Sequence, residues 1–175
     1  MREVAIIGLG DGMFDAPMEI ERWGLPWSGD SSYDIFFEVH SEDVRPYTEG
    51  YKEKLRELEV DVIMQEAMDG VPNSRPFPQA MVERLGGYLE SSISYMLAYA
   101  IWCTVPRVHI YGVGAPFDSH YVQQRSNLEY LIGFARGTGM EVVVSEKSEL
   151  LTSHWDAGIY GFDKENLRPG TEYVC

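Results

Sequence analysis

Residues 86–139 read GGYLESSISYMLAYAIWCTVPRVHIYGVGAPFDSHYVQQRSNLEYLIGFARGTG, and this stretch decides the predicted fold. Its first part opens with glycines and serines and is then almost wholly apolar as far as Trp102, a pattern typical of a capped, buried helix. Residues 107–114, RVHIYGVG, form a β-branched run that ends in glycines and predicts a buried strand. A second helix is predicted over 127–136, so a helix, a strand and a helix follow one another.

The loop after this strand, residues 115–126, is dense in polar side chains. Open α/β sheets bind their ligands in the crevice outside the carboxyl ends of the strands. We therefore expect ligand contacts from the glycine at the end of the strand and from the loop, namely from Gly112, Asp118, Tyr121, Gln124 and Arg125.

Predicted strands and helices alternate along the rest of the chain. Strands are expected at 3–7, 20–27, 33–40, 60–65 and 141–144, helices at 46–58, 77–85 and 146–151, and a proline-rich loop at 71–78. Strands too hydrophobic to face water predict a mostly parallel sheet with helices on both faces, an α/β fold of the Rossmann-like type. Residues 1–175 are predicted to form one domain, with 153–175 as a covering segment or tail.

The first predicted strand runs directly into the glycine turn Gly8-Leu9-Gly10-Asp11-Gly12. Glycines there let the backbone approach a ligand phosphate or ribose closely. The third glycine of the dinucleotide fingerprint is absent, so a plain tight turn accounts for the pattern equally well. Gly8, Gly10, Asp11 and Gly12 are candidate ligand-binding residues.

Two further positions carry side chains suited to a site. Glu38 and His40 lie two residues apart at the end of a predicted strand, so they face the same way and form a candidate carboxylate and imidazole pair. A structural or solvent-facing histidine is the alternative. Trp23 offers a stacking face for a base, with packing in the core as the alternative.

Composition excludes several classes of partner. The formal net charge of −14 disfavours nucleic-acid backbones and anionic membranes. The two cysteines, Cys103 and Cys175, have no metal-binding spacing. The longest apolar stretch, 93–103, is too short to span a bilayer, and the N-terminus lacks the pattern of a signal peptide. A cytoplasmic protein is expected.

Several of these stretches resemble a known family. Residues 4–12, VAIIGLGDG, look like the N-terminal strand and glycine turn of the single-domain, Rossmann-like bacterial sialyltransferases that use CMP-sialic acid. Residues 91–96, SSISYM, with 110–113, IYGV, are similar to their central helix and strand. Residues 127–131, 142–145 and 148–151 are similar to their closing elements. The same order also resembles uncharacterised phage-encoded proteins, which look closer overall.

The resemblance implies that the Gly8 to Gly12 turn and the helix start at Ser91 and Ser92 face a nucleotide. The family also has a long lid after the central strand, which holds a catalytic histidine and tyrosines. In this chain the corresponding segment is short, and His120 and Tyr121 are the candidate counterparts.

Two functions are predicted as alternatives. The first is a glycosyltransferase-like enzyme acting on a nucleotide or nucleotide-sugar, which needs a base for its acceptor, here His40 or His120. It also needs a partner for the leaving phosphate, here Arg125 or the amides of Ser91 and Ser92. The second is a non-catalytic protein that sequesters a nucleotide-like ligand or modulates a protein partner. A role for Mg²⁺ and the formation of a homo-oligomer are both left open.

Overall fold

The computed structural model describes residues 1–26, 28, 32–40, 50–85, 87–114 and 121–152. Seven parallel strands form one sheet in the order β5-β4-β3-β2-β1-β6-β7. They are β1 (Glu3–Ile7), β2 (Glu21–Gly24), β3 (Ile35–Glu38), β4 (Asp61–Met64), β5 (Ser74–Pro76), β6 (Arg107–Tyr111) and β7 (Glu141–Val144). The predicted fold class, an α/β fold of the Rossmann-like type, is confirmed.

Helices cover both faces of this sheet. They are α1 (Tyr51–Glu57), α2 (Gln79–Arg84), α3 (Ser92–Trp102) and α4 (Val122–Gly137), with a 3-10 helix at Met13–Asp15. Successive side chains of β1 point to opposite faces of the sheet, as in any pleated strand. Val4 and Ile6 pack into the hydrophobic cluster that contains α3 and α4. Ala5 and Ile7 pack into a second cluster with Leu55 of α1.

The chain reverses its direction across the sheet at β1. Strands β2 to β5 follow β1 towards one edge, and β6 and β7 are added on the other side of β1. A helix that precedes a parallel strand begins at the carboxyl edge of the sheet, so α3 begins at the edge where β1 and β6 end. Such a reversal point opens a crevice at the carboxyl ends of the two central strands.

Three predicted elements differ from the structure. The proline-rich loop contains the edge strand β5, which is compatible with proline because an edge strand needs hydrogen bonds on one side only. Helix α4 begins at Val122 instead of 127. The predicted helix at 146–151 is a series of turns, held to the end of β6 by a hydrogen bond from Ser148 Oγ to the Val113 carbonyl (2.5 Å).

Trp23 lies in the core and does not offer an exposed stacking face. Its side chain is fully buried, and its ring packs against Phe37 and Tyr99 at centroid distances of 5.4 and 5.5 Å. The indole Nε1 donates a hydrogen bond to Glu21 (2.8 Å). The alternative reading of this residue, packing in the core, is the one that the structure favours. None of the described helices is long and apolar enough to cross a membrane.

The carboxylate of Glu21 joins this core to the N-terminus. Arg2 donates to both of its oxygens, at 2.8 and 2.9 Å, beside the bond from Trp23. The hydrogen bond from Arg2, with a smaller contribution from Trp23, lowers the pKa of Glu21 below 4.5, although burial acts in the opposite direction. The ionised form is therefore favoured in the folded protein.

We predict that Glu21→Gln lowers the free energy of unfolding by about 1 kcal/mol at pH 7, the upper range for a partly exposed ion pair. Because the folded-state pKa is lowered, this stabilisation is complete above pH 4.5 and is lost as the pH falls through the folded-state pKa. Urea unfolding at pH 7, 5 and 3 measures the difference. Glu57→Gln, at an exposed position of α1, is the control. A difference that stays constant down to pH 3 would contradict the prediction.

Candidate functional site

A cleft of about 570 Å³ opens at the carboxyl edge of the sheet, at the point where the strand order reverses. Its walls come from the loops after β1, β2, β3 and β6 and from the first turns of α3 and α4. The polar and glycine residues that line it are Gly10, His40, Glu90, Ser91, Ser92, Gly112, Gly114, Tyr121 and Gln124. Leu9, Leu25, Ile93, Val113 and Leu128 supply the apolar lining. The volume is that of a small-molecule site.

The floor of the cleft is formed by two glycine turns in direct contact. Gly8 donates its amide to the Tyr111 carbonyl (2.9 Å), and Gly10 donates to the Gly112 carbonyl (2.7 Å). Gly112 has a φ of +63°, and a Cβ there would lie 2.6 Å from the Gly8 carbonyl oxygen. Only glycine fits this position without moving the backbone. The two turns can therefore present bare backbone to a ligand.

The N-terminus of α3 forms a second wall. Ser91 caps the helix, since its Oγ accepts a hydrogen bond from the Ser94 amide (3.1 Å). The remaining amides of the first turn have no partner inside the helix, and the helix dipole favours negative charge at this end. Ser91 and Ser92 line the cleft, so this wall suits an anionic group.

A carboxylate and imidazole pair lies at the end of β3. Glu38 is buried, with its side chain 1% exposed, and its Oε1 lies 2.9 Å from His40 Nδ1, as the spacing of the two residues predicts. Glu38 also accepts hydrogen bonds from the His40 amide (3.1 Å) and from the Tyr51 hydroxyl. The His40 ring reaches the cleft with 37% of its side chain exposed. In the tautomer in which Nδ1 donates to Glu38, the lone pair of Nε2 is the one left free for a further hydrogen bond.

The other predicted residues lie around the cleft or away from it. Asp11 is exposed and Gly12 buried in the turn beside the floor. Arg125 is buried and is held by Glu129 (2.9 Å) and the Thr152 carbonyl (3.3 Å). Of the two predicted phosphate partners, the start of α3 is therefore the one that opens onto the cleft. Asp118 and His120 lie outside the described residues.

Lys147 supplies a cation beside the glycine turn, which the sequence did not indicate. A Cβ at Gly12 would lie 3.0 Å from Lys147 Cδ, and Lys147 Nζ lies 2.8 Å from Asp15. The hydrogen bond to Asp15 raises the pKa of Lys147, so the ammonium stays charged. Burial, helped by the charge of Asp15, raises the pKa of Tyr111 at the end of β6. Among the described residues, no group of three or more His, Cys, Asp or Glu could hold a metal ion.

Two other residues that shape the site were missed. The hydroxyl of Tyr51 in α1 donates a hydrogen bond to the buried Glu38. Asn127 of α4 is fully buried and forms hydrogen bonds with the segment that precedes α3. Asn127 had a signal in the sequence, because it lies four residues before Leu131 and so falls on the apolar face of its helix. A polar residue on such a face needs buried partners.

A second cavity of about 260 Å³ lies at the opposite edge of the sheet. Its lining is mainly apolar and comes from α2, α3, α4 and the residues that precede β6 and β7, among them Met81, Trp102, Phe134 and Met140. No acid, base or glycine turn of the predicted site lies there. The predicted site residues that line a cavity, within the part of the chain that the structure describes, thus line the one at the carboxyl edge.

No protein-family model matches the chain, and no curated protein matches its sequence. Two solved structures of the sialyltransferase CstII from Campylobacter jejuni are similar in fold. The one in complex with cytidine-5'-monophosphate, a substrate analogue, has a TM-score of 0.55 at 14% identity, covering 82% of this chain and 79% of that chain. The one in complex with CMP-3FNeuAc has a TM-score of 0.53 at 14% identity, covering 98% and 96%. At this identity the likeness shows a shared fold.

We predict that Gly112→Ala destabilises the protein more than Gly139→Ala. Both glycines have positive φ, +63° and +93°, but a Cβ at Gly139 would meet nothing within 4 Å. Gly139→Ala should therefore cost about 1–2 kcal/mol of backbone strain. Gly112→Ala should cost about 1–3 kcal/mol more, because its Cβ meets the Gly8 carbonyl. Urea unfolding compares the two, and equal losses would show that the turns are not in close contact.

Proposed function

We propose that the chain binds a nucleotide or nucleotide-sugar in the cleft and acts on it as a glycosyltransferase-like enzyme. One observation carries the proposal: the bare backbone of two glycine turns and the N-terminus of an eleven-residue helix line the same cleft at the point where the strand order reverses. This is where open α/β sheets bind nucleotides. The CMP and CMP-3FNeuAc held by the two CstII structures support this class of ligand.

The parts of such a ligand match different walls. The amides at the start of α3, near Ser91 and Ser92, suit the phosphate. Gly10 and Gly112 allow a ribose or phosphate to approach the backbone closely. Leu9 and Leu25 supply apolar surface for the flat face of a base.

His40 is the proposed base of the transfer. It would take the proton of an acceptor hydroxyl as the acceptor oxygen bonds to the sugar carbon, while the bond from that carbon to the phosphate oxygen breaks and the electron pair leaves with the nucleotide. Glu38 would act through His40, holding Nδ1 and stabilising the imidazolium that forms. His120, the candidate in the short loop, is the other base to be tested.

We predict that CMP raises the melting temperature of the purified protein. A ligand at about 100 times its dissociation constant adds about 2.7 kcal/mol to the stability of the folded state, which corresponds to a shift of several degrees for a chain of this size. A thermal-shift screen with CMP, UMP, AMP, CMP-sialic acid and the matching nucleosides, each with and without Mg²⁺, measures it. The absence of a shift with every nucleotide would contradict the proposal.

We also predict that His40→Ala lowers turnover by about 100-fold or more, the range of a general base, while the dissociation constant of the nucleotide is unchanged. Release of CMP from CMP-sialic acid, with and without a sugar acceptor, measures turnover. His109→Ala is the matched control, because His109 also bonds a glutamate, Glu3 (3.0 Å), but lies outside the cleft.

Two results would change the assignment. If only His120→Ala abolishes turnover, the base lies in the loop and not on β3. If wild-type protein binds CMP or another nucleotide but releases no product from any donor, the chain is a binding protein without chemistry.

A further inference from the structure

A single side chain of α4 holds the segment that leads into α3. Asn127 is fully buried, and its Nδ2 donates to the Tyr88 carbonyl (2.5 Å). Its Oδ1 accepts hydrogen bonds from the Glu90 amide (3.1 Å) and from the hydroxyl of the fully buried Ser94. The Nδ2 and Oδ1 atoms of Asn127 thus form hydrogen bonds with three residues of the segment 88–94.

This network continues to the helix cap. Ser94 Oγ lies 2.9 Å from Ser91 Oγ, and Ser91 Oγ accepts from the Ser94 amide. An unbroken chain of hydrogen bonds therefore runs from Asn127 in α4 to the residue that caps α3. Hydrogen bonds among buried groups are strong when all groups are satisfied, and they fix one arrangement of the groups that they join.

The same end of α4 also forms part of the cleft. Tyr121, Gln124 and Leu128 line it, on the turns either side of Asn127. Asn127 thus joins two walls of the cleft, the start of α3 and the start of α4. Leucine is of similar size and would continue the apolar face of α4, but it would leave the Tyr88 carbonyl and the Glu90 amide without this partner. Asn127 therefore contributes to stability as well as joining the two walls.

We infer that Asn127 is a positioning residue, which fixes the first turn of α3 in the cleft so that its amides meet the anionic group of the ligand. The identity of that ligand rests on the proposed function. The ligand contacts themselves are made by the amides near Ser92, and Asn127 acts on them through Glu90 and Ser94.

Asn127→Leu tests the inference, with CMP and cytidine as probes. The dissociation constant of CMP should rise about tenfold or more, because hydrogen bonds to a charged group weaken steeply as their geometry is lost. That of cytidine, which has no phosphate, should change by less than about twofold. Ser94→Ala removes the hydrogen bond between Ser94 and Asn127, and it should raise the dissociation constant of CMP by a smaller factor. This variant tests the inference if Asn127→Leu does not fold.

Two controls separate positioning from stability. Val142→Ala removes buried volume from β7 and should lower stability while leaving both dissociation constants unchanged. Ser126→Ala alters the exposed residue next to Asn127 and should change neither the stability nor the two dissociation constants. Unchanged binding of CMP by Asn127→Leu, or an equal loss for CMP and cytidine, would overturn the inference.

Hydrogen exchange tests the same network without a ligand. Asn127→Leu should speed exchange of the Glu90 and Ser94 amides at least about tenfold and leave the amides of β6 unchanged. If wild-type protein binds no nucleotide, the proposed function fails and this measurement alone decides the inference. Unchanged exchange at Glu90 and Ser94 would then overturn it, and faster exchange there alone would support the positioning of α3.

Discussion

Two backbone hydrogen bonds hold the centre of the molecule, from the Gly8 amide to the Tyr111 carbonyl and from the Gly10 amide to the Gly112 carbonyl. They extend the pairing of β1 with β6 beyond the ends of both strands. Because Gly112 has no Cβ and a positive φ, the turns that follow the strands touch instead of diverging. The cleft opens directly above this contact, and α3 and α4 both begin beside it.

Buried polar groups around the cleft serve its geometry at some cost in stability. Glu38 and Asn127 are both buried, and each is bonded by more than one neighbouring group. Desolvating an amide or a carboxylate is unfavourable unless such bonds replace the lost water. Glu38 fixes a histidine on one wall, and Asn127 fixes a helix cap on another. The mainly apolar cluster around Trp23 and Phe37 contributes hydrophobic burial to the stability of the sheet.

The fold was predictable because hydrophobic runs determine it. The strands at Glu3–Ile7 and Glu141–Val144 and the helix at Ser92–Trp102 were found almost to the residue. Strand β5 was missed because it has three residues and ends in a proline, which has low strand propensity, and because it pairs with β4 alone. The start of α4 was placed too late because its first turns are polar, although glutamine and arginine are good helix formers.

The arrangement of residues around the cleft was predictable where it follows from a local sequence pattern, and not where it depends on packing between distant elements. The glycine turns, Ser91, Ser92 and the pairing of Glu38 with His40 follow from residue type and spacing. The burial of Trp23 depends on Phe37 and Tyr99, which are distant from it in the sequence. The pairing of Arg125 with Glu129 depends on where α4 begins, because the two residues lie one helical turn apart. Tyr51 contacts Glu38, and Lys147 lies beside Gly12 and Asp15, from elements that no local pattern in the sequence connects with these residues.

We propose the cleft between the turns after β1 and β6 as the ligand site of the protein. An NMR titration of ¹⁵N-labelled protein with CMP tests it most directly, because every amide reports its own surroundings. We expect the largest shifts at Gly10, Ser92 and Gly112, on the floor and the α3 wall of the cleft. Shifts centred on Met81 and Met140, at the cavity on the opposite edge, or no shifts at all, would contradict it.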